Sequence, residues 1–125
     1  MLQNGPVALF FFPLASSGGC TAEMCAVRDR SAEFDVAGAQ PVGISRDDVA
    51  AQAAFAAAHG LTFPLLADVD GSVCDTYGTR RNLAAAPVKR HTVVIGTDGR
   101  VTEVIKSEFR FGRHAAAALE ALPPR

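Results

Sequence analysis

The first apolar segment of the chain, Val7–Phe12, is the feature that most constrains its fold. All six residues are apolar and three of them are phenylalanine, with no alternation between apolar and polar positions. A short run of this kind predicts a strand buried on both faces, as in the middle of an α/β sheet. Pro13 ends the run far short of the roughly 20 residues that a membrane-spanning helix needs. We therefore expect this strand to lie between two layers of helices.

Helical and strand-like patterns alternate through the rest of the chain. Two longer helices are expected, one from Cys20 to about Val36 that ends at Gly38, and one over Asp47–His59 with Ser45 and Asp48 as its capping pair and Gly60 at its end. Further strands are expected at Gln40–Ile44, Phe63–Ala67, His91–Ile95 and Arg100–Ile105. A short helix is expected over Gly71–Tyr77, an irregular segment over Gly78–Lys89 and a closing helix over His114–Leu122.

The order of these elements predicts the fold class. Strands that alternate with helices pair in parallel through right-handed crossovers. The turn Gly96–Gly99, with its Asp-Gly pair, joins the last two strands and predicts a hairpin, which adds antiparallel strands to the same sheet. The sequence therefore predicts an α/β fold with a mixed central sheet of about five strands flanked by helices. We expect residues 1–125 to form a single domain.

Length, charge and cysteine content exclude several classes of function. The 125 residues carry 12 Lys and Arg against 13 Asp and Glu, so no basic excess is available to bind nucleic acid. Neither nucleic acid nor a membrane is an expected partner. Three cysteines in a domain of this size are typical of reduced thiols, which predicts the cytoplasm as location. A lipoprotein leader ending at Cys20 is the alternative, disfavoured because Pro13 breaks its apolar stretch and no Lys or Arg precedes Arg28.

The segment before Cys20 has the composition of a ligand-binding loop. It follows a buried strand, and ligands of open α/β sheets bind beyond the carboxyl ends of strands. Gly18 and Gly19 allow close approach to the backbone, and Ser17 offers a hydroxyl three residues before the sulfur. In the first turn of a helix, the dipole and free N–H groups favour the Cys20 thiolate. Cys20 is therefore the strongest candidate for a nucleophile, although a buried free cysteine is more often a packing residue.

The spacing of Cys20 and Cys25 indicates which kinds of thiol site the two residues can form. The five-residue separation is not that of a Cys-x-x-Cys redox or zinc motif, and the three histidines lack ligand spacing. No metal or other cofactor is therefore expected. Five residues rise about 7.5 Å along a helix, whereas a disulfide requires Cα atoms within about 7 Å. A permanent bridge is disfavoured, and a transient one requires the first helical turn to unwind.

The sequence resembles the peroxiredoxins, in particular the peroxiredoxin Q or bacterioferritin comigratory protein branch. The family pattern Pro-x-x-x-Thr/Ser-x-x-Cys is matched by Pro13, Ser17 and Cys20. Further matches, in the same order as in that branch, are Thr21, Glu23 and Cys25, the pair Arg28-Asp29, and the segments Gly43–Asp47, Gly60–Asp68 and Arg90–Ile95. The resemblance implies a thioredoxin-like fold and a thiol-dependent peroxidase that reduces hydrogen peroxide or organic hydroperoxides. It also implies a thioredoxin-type dithiol as reductant, in a monomer or homodimer.

The resemblance also implies roles for individual residues. Cys20 would be the peroxidatic cysteine and Cys25 the resolving cysteine, while Pro13, Ser17 and Arg90 would complete the peroxide pocket. Three other basic residues are weaker candidates for the role of Arg90, namely Lys89, Arg80 and Arg81. For Cys74 a structural role is expected, with a resolving role as the alternative. Glu23 is expected either to stabilise the helix N-terminus or to lie beside the thiol.

The chain also departs from the family. Ser17 replaces the commoner Thr, and Gly18 stands where this branch often has Pro. Family members usually carry a further N-terminal segment, whereas only Met1–Pro6 precede Val7, so we expect an N-terminally short peroxiredoxin domain. The alternative function is a thioredoxin-like redox-sensing or binding module with little peroxidase activity. General dithiol exchange is disfavoured by the cysteine spacing.

Overall fold

A computed structural model gives the fold of the chain. It describes residues 5–13, 15, 18–80, 88–106 and 111–122. The five strands are β1 (Val7–Phe11), β2 (Gln40–Ser45), β3 (Leu65–Ala67), β4 (His91–Ile95) and β5 (Val101–Lys106). The five helices are α1 (Gly18–Asp29), α2 (Ser31–Ala37), α3 (Val49–His59), α4 (Ser72–Tyr77) and α5 (Phe111–Ala121).

The strands form one mixed sheet in the order β3-β2-β1-β4-β5. Strand β1 lies in the centre, parallel to β2 and antiparallel to β4. All five of its residues are buried, as predicted for a strand covered on both faces. The predicted hairpin is also present, since β4 and β5 pair in antiparallel fashion. The predicted fold class, α/β with a five-stranded mixed sheet flanked by helices, is confirmed.

Strand β1 divides the interior into two clusters because successive side chains of a strand point to opposite faces. Phe10 and Phe12 face one cluster, which contains Cys20 and the buried residues of α1 and α5. Leu9 and Phe11 face the other cluster, which contains Cys74. We call these the α1 face and the Cys74 face of the sheet.

Several predicted element boundaries are wrong by one or more residues. The helix expected from Cys20 to about Val36 is two helices, which begin at Gly18 and Ser31 and are separated by Arg30. Met24, Val27 and Phe34 keep a helical spacing and are all buried, so apolar periodicity alone does not reveal the break. Gly38 ends the second helix in the left-handed conformation, as predicted.

The helix expected from Asp47 begins at Val49 instead. Asp48 is its N-cap residue, and its carboxylate accepts a hydrogen bond from the Ala51 N–H at 2.8 Å. Ser45 is not part of the cap, because its hydroxyl donates to the Asp47 carboxylate at 2.6 Å. Smaller differences are that β3 begins at Leu65, β5 spans Val101–Lys106 and α5 begins at Phe111. The expected irregular segment lies mostly in residues 81–87, outside the described residues.

Candidate active site

Cys20 lies in the first turn of α1, on the side of the helix that faces the sheet. Met24 and Val27 follow it at four and seven residues, and all three side chains are completely buried. The helix follows the carboxyl end of β1, where ligands of α/β folds bind. The helix dipole places its positive end at this first turn. The sulfur therefore lies in a buried environment at the positive end of a helix.

The guanidinium of Arg90 is the cation nearest to this sulfur among the described contacts. Its Nη2 donates to the Cys20 Sγ at 3.3 Å, and its Nη1 donates to the Glu23 carboxylate. Burial alone would lower the pKa of Arg90, but the charges of Glu23 and Cys20 raise it above its usual value. Arg90 therefore stays protonated, and its two ends contact two groups of α1 at once.

The sheet explains how residues 70 positions apart meet. Strand β4 runs antiparallel to β1, and Thr92 pairs with Phe10. The start of β4 therefore lies beside the end of β1, where the chain leads to Cys20. Arg90 and Thr92 are two residues apart, so their side chains point to the same face of the sheet, the α1 face. Glu23, one turn after Cys20, reaches the same guanidinium from the helix.

The other basic candidates have different surroundings. Lys89 is half-buried, and no contact with Cys20 is found among the described residues. Arg80 donates to the Asp75 carboxylate at 2.5 Å and to the Asp70 carbonyl at 2.6 Å, beside α4. Arg81 lies outside the described residues. The geometry thus favours Arg90 among the three that the structure describes.

The loop between β1 and α1 is held by a carboxylate of the matched segment Gly43–Asp47, for which the sequence patterns predicted no role. The Asp47 carboxylate, just after β2, accepts hydrogen bonds from the Ala15 N–H at 2.8 Å and from the Ser45 hydroxyl at 2.6 Å. Because β1 and β2 are parallel neighbours, their carboxyl ends share an edge and bring Asp47 to this loop. Pro13 is buried at the end of β1. Ser17 lies outside the described residues.

Cys25 shares α1 with Cys20 but lies on a more exposed side of the helix. It is half-buried, and all three cysteines are free thiols. Because both residues belong to one regular helix, their Cα atoms are separated by an axial rise of about 7.5 Å. A disulfide between them therefore requires the helix to unwind locally.

Cys74 lies on the opposite face of the sheet from Cys20. It is buried on α4 within the apolar cluster of the Cys74 face. Burial and then the hydrogen bond with the Asp68 carboxylate raise the pKa of its thiol to about 11. The thiol is therefore protonated at neutral pH and separated from Cys20 by the sheet.

Comparison with known proteins identifies the family. The AhpC/TSA family profile matches residues 1–104. The chain is 47% identical to the peroxidoxin BcpB of Mycobacterium tuberculosis, whose crystal structure it matches with a TM-score of 0.92 over 97% of this chain and 80% of that one. It is 34% identical to the chloroplastic peroxiredoxin Q of Triticum aestivum over 96% of this chain and 55% of that protein.

A third similarity is to the bacterioferritin comigratory protein of Xanthomonas campestris, whose structures were determined to describe alkyl peroxide reduction. The TM-score is 0.86 and the identity 30%, over 95% of this chain and 78% of that one. The chain therefore belongs to the AhpC/TSA family of peroxiredoxins, and the expected resemblance is confirmed. It is a thiol-dependent peroxidase with a thioredoxin-like fold. No helix among the described residues is long and apolar enough to cross a membrane.

Removal of the Asp47 carboxylate should impair the site more than it impairs the fold. Hydrogen bonds to charged groups contribute roughly 1.5–3 kcal/mol each, and Asp47→Ala removes two of them, of which the bond from the Ala15 N–H holds the loop that leads to Cys20. We expect the rate constant for Cys20 oxidation by peroxide to fall about tenfold, since a misplaced reacting group is costly in rate. Stopped-flow single-turnover kinetics measures this rate.

Asp48→Ala is the matched control for this variant. It removes the neighbouring carboxylate and the N-cap of α3, which costs about 1 kcal/mol of stability, without touching the loop before α1. Its oxidation rate should equal that of the parent protein. Equal rates for Asp47→Ala and Asp48→Ala would contradict a role of Asp47 in holding the loop.

The thiols of Cys25 and Cys74 should differ in reactivity. A thiol with a pKa of about 11 is ionised to only about one part in a thousand at pH 8, and only the thiolate is alkylated. We expect iodoacetamide at pH 8 to label the half-buried Cys25 while Cys74 stays unmodified, as read by mass spectrometry of peptides. Labelling in urea should reach both. Equal labelling rates for the two cysteines in the native protein would show that the Cys74 thiol is accessible and ionised.

Proposed function

We propose that Cys20 is the peroxidatic cysteine and that Arg90 activates both its sulfur and the bound peroxide. The observation that carries this proposal is the 3.3 Å contact between the Arg90 guanidinium and the Cys20 sulfur, in a buried site at a helix N-terminus. Pro13, Ser17 and the loop held by Asp47 would complete the pocket. Glu23 would fix the guanidinium from its other side.

The proposed first step is attack of the Cys20 thiolate on one peroxide oxygen. The S–O bond forms as the O–O bond breaks, the sulfur is oxidised to sulfenic acid, and the leaving oxygen takes a proton to depart as water or an alcohol. Negative charge therefore moves from the sulfur to the leaving oxygen. A guanidinium that contacts the sulfur can stabilise this charge at both stages.

Ionisation of the thiol accounts for only part of the rate that such an enzyme needs. An ordinary thiol with a pKa of about 8.5 is a few per cent ionised at pH 7, so complete ionisation increases the rate only about thirtyfold. That factor corresponds to about 2 kcal/mol of activation free energy. The larger part of the acceleration must therefore come from binding and polarising the peroxide, which is the role we assign to Arg90 and the helix N–H groups.

We assign the resolving role to Cys25. In this step the Cys25 thiol condenses with the Cys20 sulfenic acid, which forms a disulfide and releases water. The first turn of α1 must unwind, and the sulfenic acid favours this because it no longer carries the charge that Arg90 contacts. Cys74 is a poor alternative since it lies across the sheet with a protonated thiol.

The cycle closes when a thioredoxin-type dithiol reduces the disulfide by exchange. The proposed substrates are hydrogen peroxide and organic hydroperoxides, and the reported alkyl peroxide reduction by the Xanthomonas campestris relative supports the latter. We propose that residues 1–125 act as one domain, because α5 packs on α1 and β4. A monomer or homodimer in the cytoplasm is the proposed state, where cellular reductants keep free thiols reduced.

Peptide mapping after one equivalent of hydrogen peroxide tests the cysteine roles. Glu23 lies between the two cysteines of α1, so cleavage after glutamate places Cys20 and Cys25 on separate peptides unless a disulfide joins them. We expect a linked pair of peptides that reduction separates. A bridge to Cys74 would move the resolving role, and a persistent sulfenic acid would assign that role to an external thiol.

Single-turnover oxidation tests the role of Arg90. Removal of one preorganised charge-stabilising group costs about 10²–10³ in rate, so Arg90→Met should slow Cys20 oxidation by that factor. Lys89→Met removes the neighbouring cation, and Cys25→Ser removes a thiol that reacts only after the O–O bond has broken. Both variants should keep the parent rate. Thermal melts establish that each variant is folded. A parent rate for Arg90→Met would refute the assignment, and a parent rate no faster than that of free cysteine would favour a sensing or binding module.

A further inference from the structure

Helix α5 contributes a fully buried histidine to the surroundings of the active site. The Nδ1 of His114 lies 2.6 Å from the Thr92 hydroxyl and 4.0 Å from Oε2 of Glu23. All three side chains are completely buried. Neither His114 nor Thr92 touches Cys20 or Arg90 in any described contact. In the described contacts, Glu23 connects them to Arg90 and so to the Cys20 sulfur.

We propose that His114, held by Thr92, is a positioning residue that fixes the Glu23 carboxylate and through it the Arg90 guanidinium at Cys20. This inference rests on the proposed function, because it concerns the same site. It adds a pair of residues from β4 and α5 to the machinery that orients the guanidinium.

Packing alone does not explain a histidine at this position. The other buried residues of the closing segment are Ala115, Ala118 and Leu122, which are apolar and face the core of the α1 face. Burial of an imidazole costs free energy unless its polar atoms are hydrogen-bonded. The short contact with Thr92 offsets that cost whichever of the two atoms carries the hydrogen. The contact with Thr92 therefore stabilises a polar side chain in an otherwise apolar part of the core.

The register of β4 places Thr92 where it can serve this purpose. Arg90 and Thr92 are two residues apart and point to the same face of the sheet, on which α1 and α5 pack. Glu23 thus lies between Arg90, which directly precedes β4, and His114, which contacts Thr92 of β4. Its Oε1 accepts from Arg90, and its Oε2 is the oxygen that lies near His114.

The contact with Arg90 holds Oε1, and the imidazole 4.0 Å from Oε2 limits the space into which the carboxylate can rotate. If the imidazole of His114 were removed, the Glu23 carboxylate could rotate about its terminal bond and draw the Arg90 guanidinium away from the Cys20 sulfur. A displacement of about 1 Å at a reacting centre can cost up to about a hundredfold in rate. His114 therefore influences the reaction without contacting the peroxide.

Three variants of the 125-residue chain test the proposal. His114→Leu removes the polar contact, and Thr92→Val removes one hydroxyl while it leaves α5 unchanged. His114→Asn keeps a polar atom at the same number of bonds from the backbone as Nδ1. We measure the single-turnover rate of Cys20 oxidation by hydrogen peroxide and the apparent pKa of the Cys20 thiol from the pH dependence of its alkylation.

We expect His114→Leu and Thr92→Val to lower the oxidation rate by about tenfold to a hundredfold and to raise the apparent pKa of the Cys20 thiol. His114→Asn should recover most of both losses. Ala118→Gly is the control for a merely structural effect, since glycine weakens a helix without removing a polar contact. It should lower the melting temperature and leave rate and thiol pKa unchanged.

Each outcome decides between the alternatives. The proposal is overturned if Thr92→Val and His114→Leu keep the parent rate and thiol pKa, or if Ala118→Gly reproduces their losses. Thr92→Val alone decides the matter should His114→Leu fail to fold. If the parent protein reacts rapidly with peroxide and the variants keep its rate, only this inference is refuted. If the parent protein reacts no faster than free cysteine, the proposed function itself is refuted.

Discussion

The buried guanidinium of Arg90 is the interaction on which the site depends. A cation taken out of water must be paired, and loss of one partner of a buried pair typically costs about 3–5 kcal/mol. Here the guanidinium contacts two groups. Glu23 is not altered by the proposed reaction, whereas the charge of Cys20 depends on its oxidation state. Glu23 holds the cation in place, so the proposed oxidation of Cys20 would not leave a buried charge unpaired.

The strand order of the sheet assembles this site from distant parts of the chain. Because β1 lies between a parallel and an antiparallel neighbour, one edge of the sheet collects the end of β1, the end of β2 and the start of β4. Cys20 follows the first of these, Asp47 the second, and Arg90 precedes the third. A mixed sheet can therefore bring the proposed nucleophile, the carboxylate that holds its loop and a cation together, whereas a purely parallel sheet would place Arg90 at the opposite edge.

The sequence predicts those parts of the structure that depend on local patterns. The buried central strand, the left-handed Gly38 and Gly60 ends and the hairpin all follow from short-range chemistry. The break at Arg30 does not, since the apolar spacing continues across it. The contacts of Asp47 with Ala15 and of His114 with Thr92 join residues 32 and 22 positions apart, and no periodicity encodes such pairs. In the sequence, His114 is a polar residue in a mostly apolar helix. Its contact with Thr92 depends on the packing of α5 beside β4.

The attachments of α1 determine which of its ends can move during the proposed cycle. At its C-terminal end, Arg28 Nη1 donates to the carbonyl of His59 at the end of α3, at 2.7 Å, a contact that no redox step alters. At its N-terminal end, the contact between Arg90 and Cys20 depends on the charge of the sulfur. Oxidation to the neutral sulfenic acid weakens only the second attachment. Cys20 should therefore move toward Cys25 once its sulfur has been oxidised.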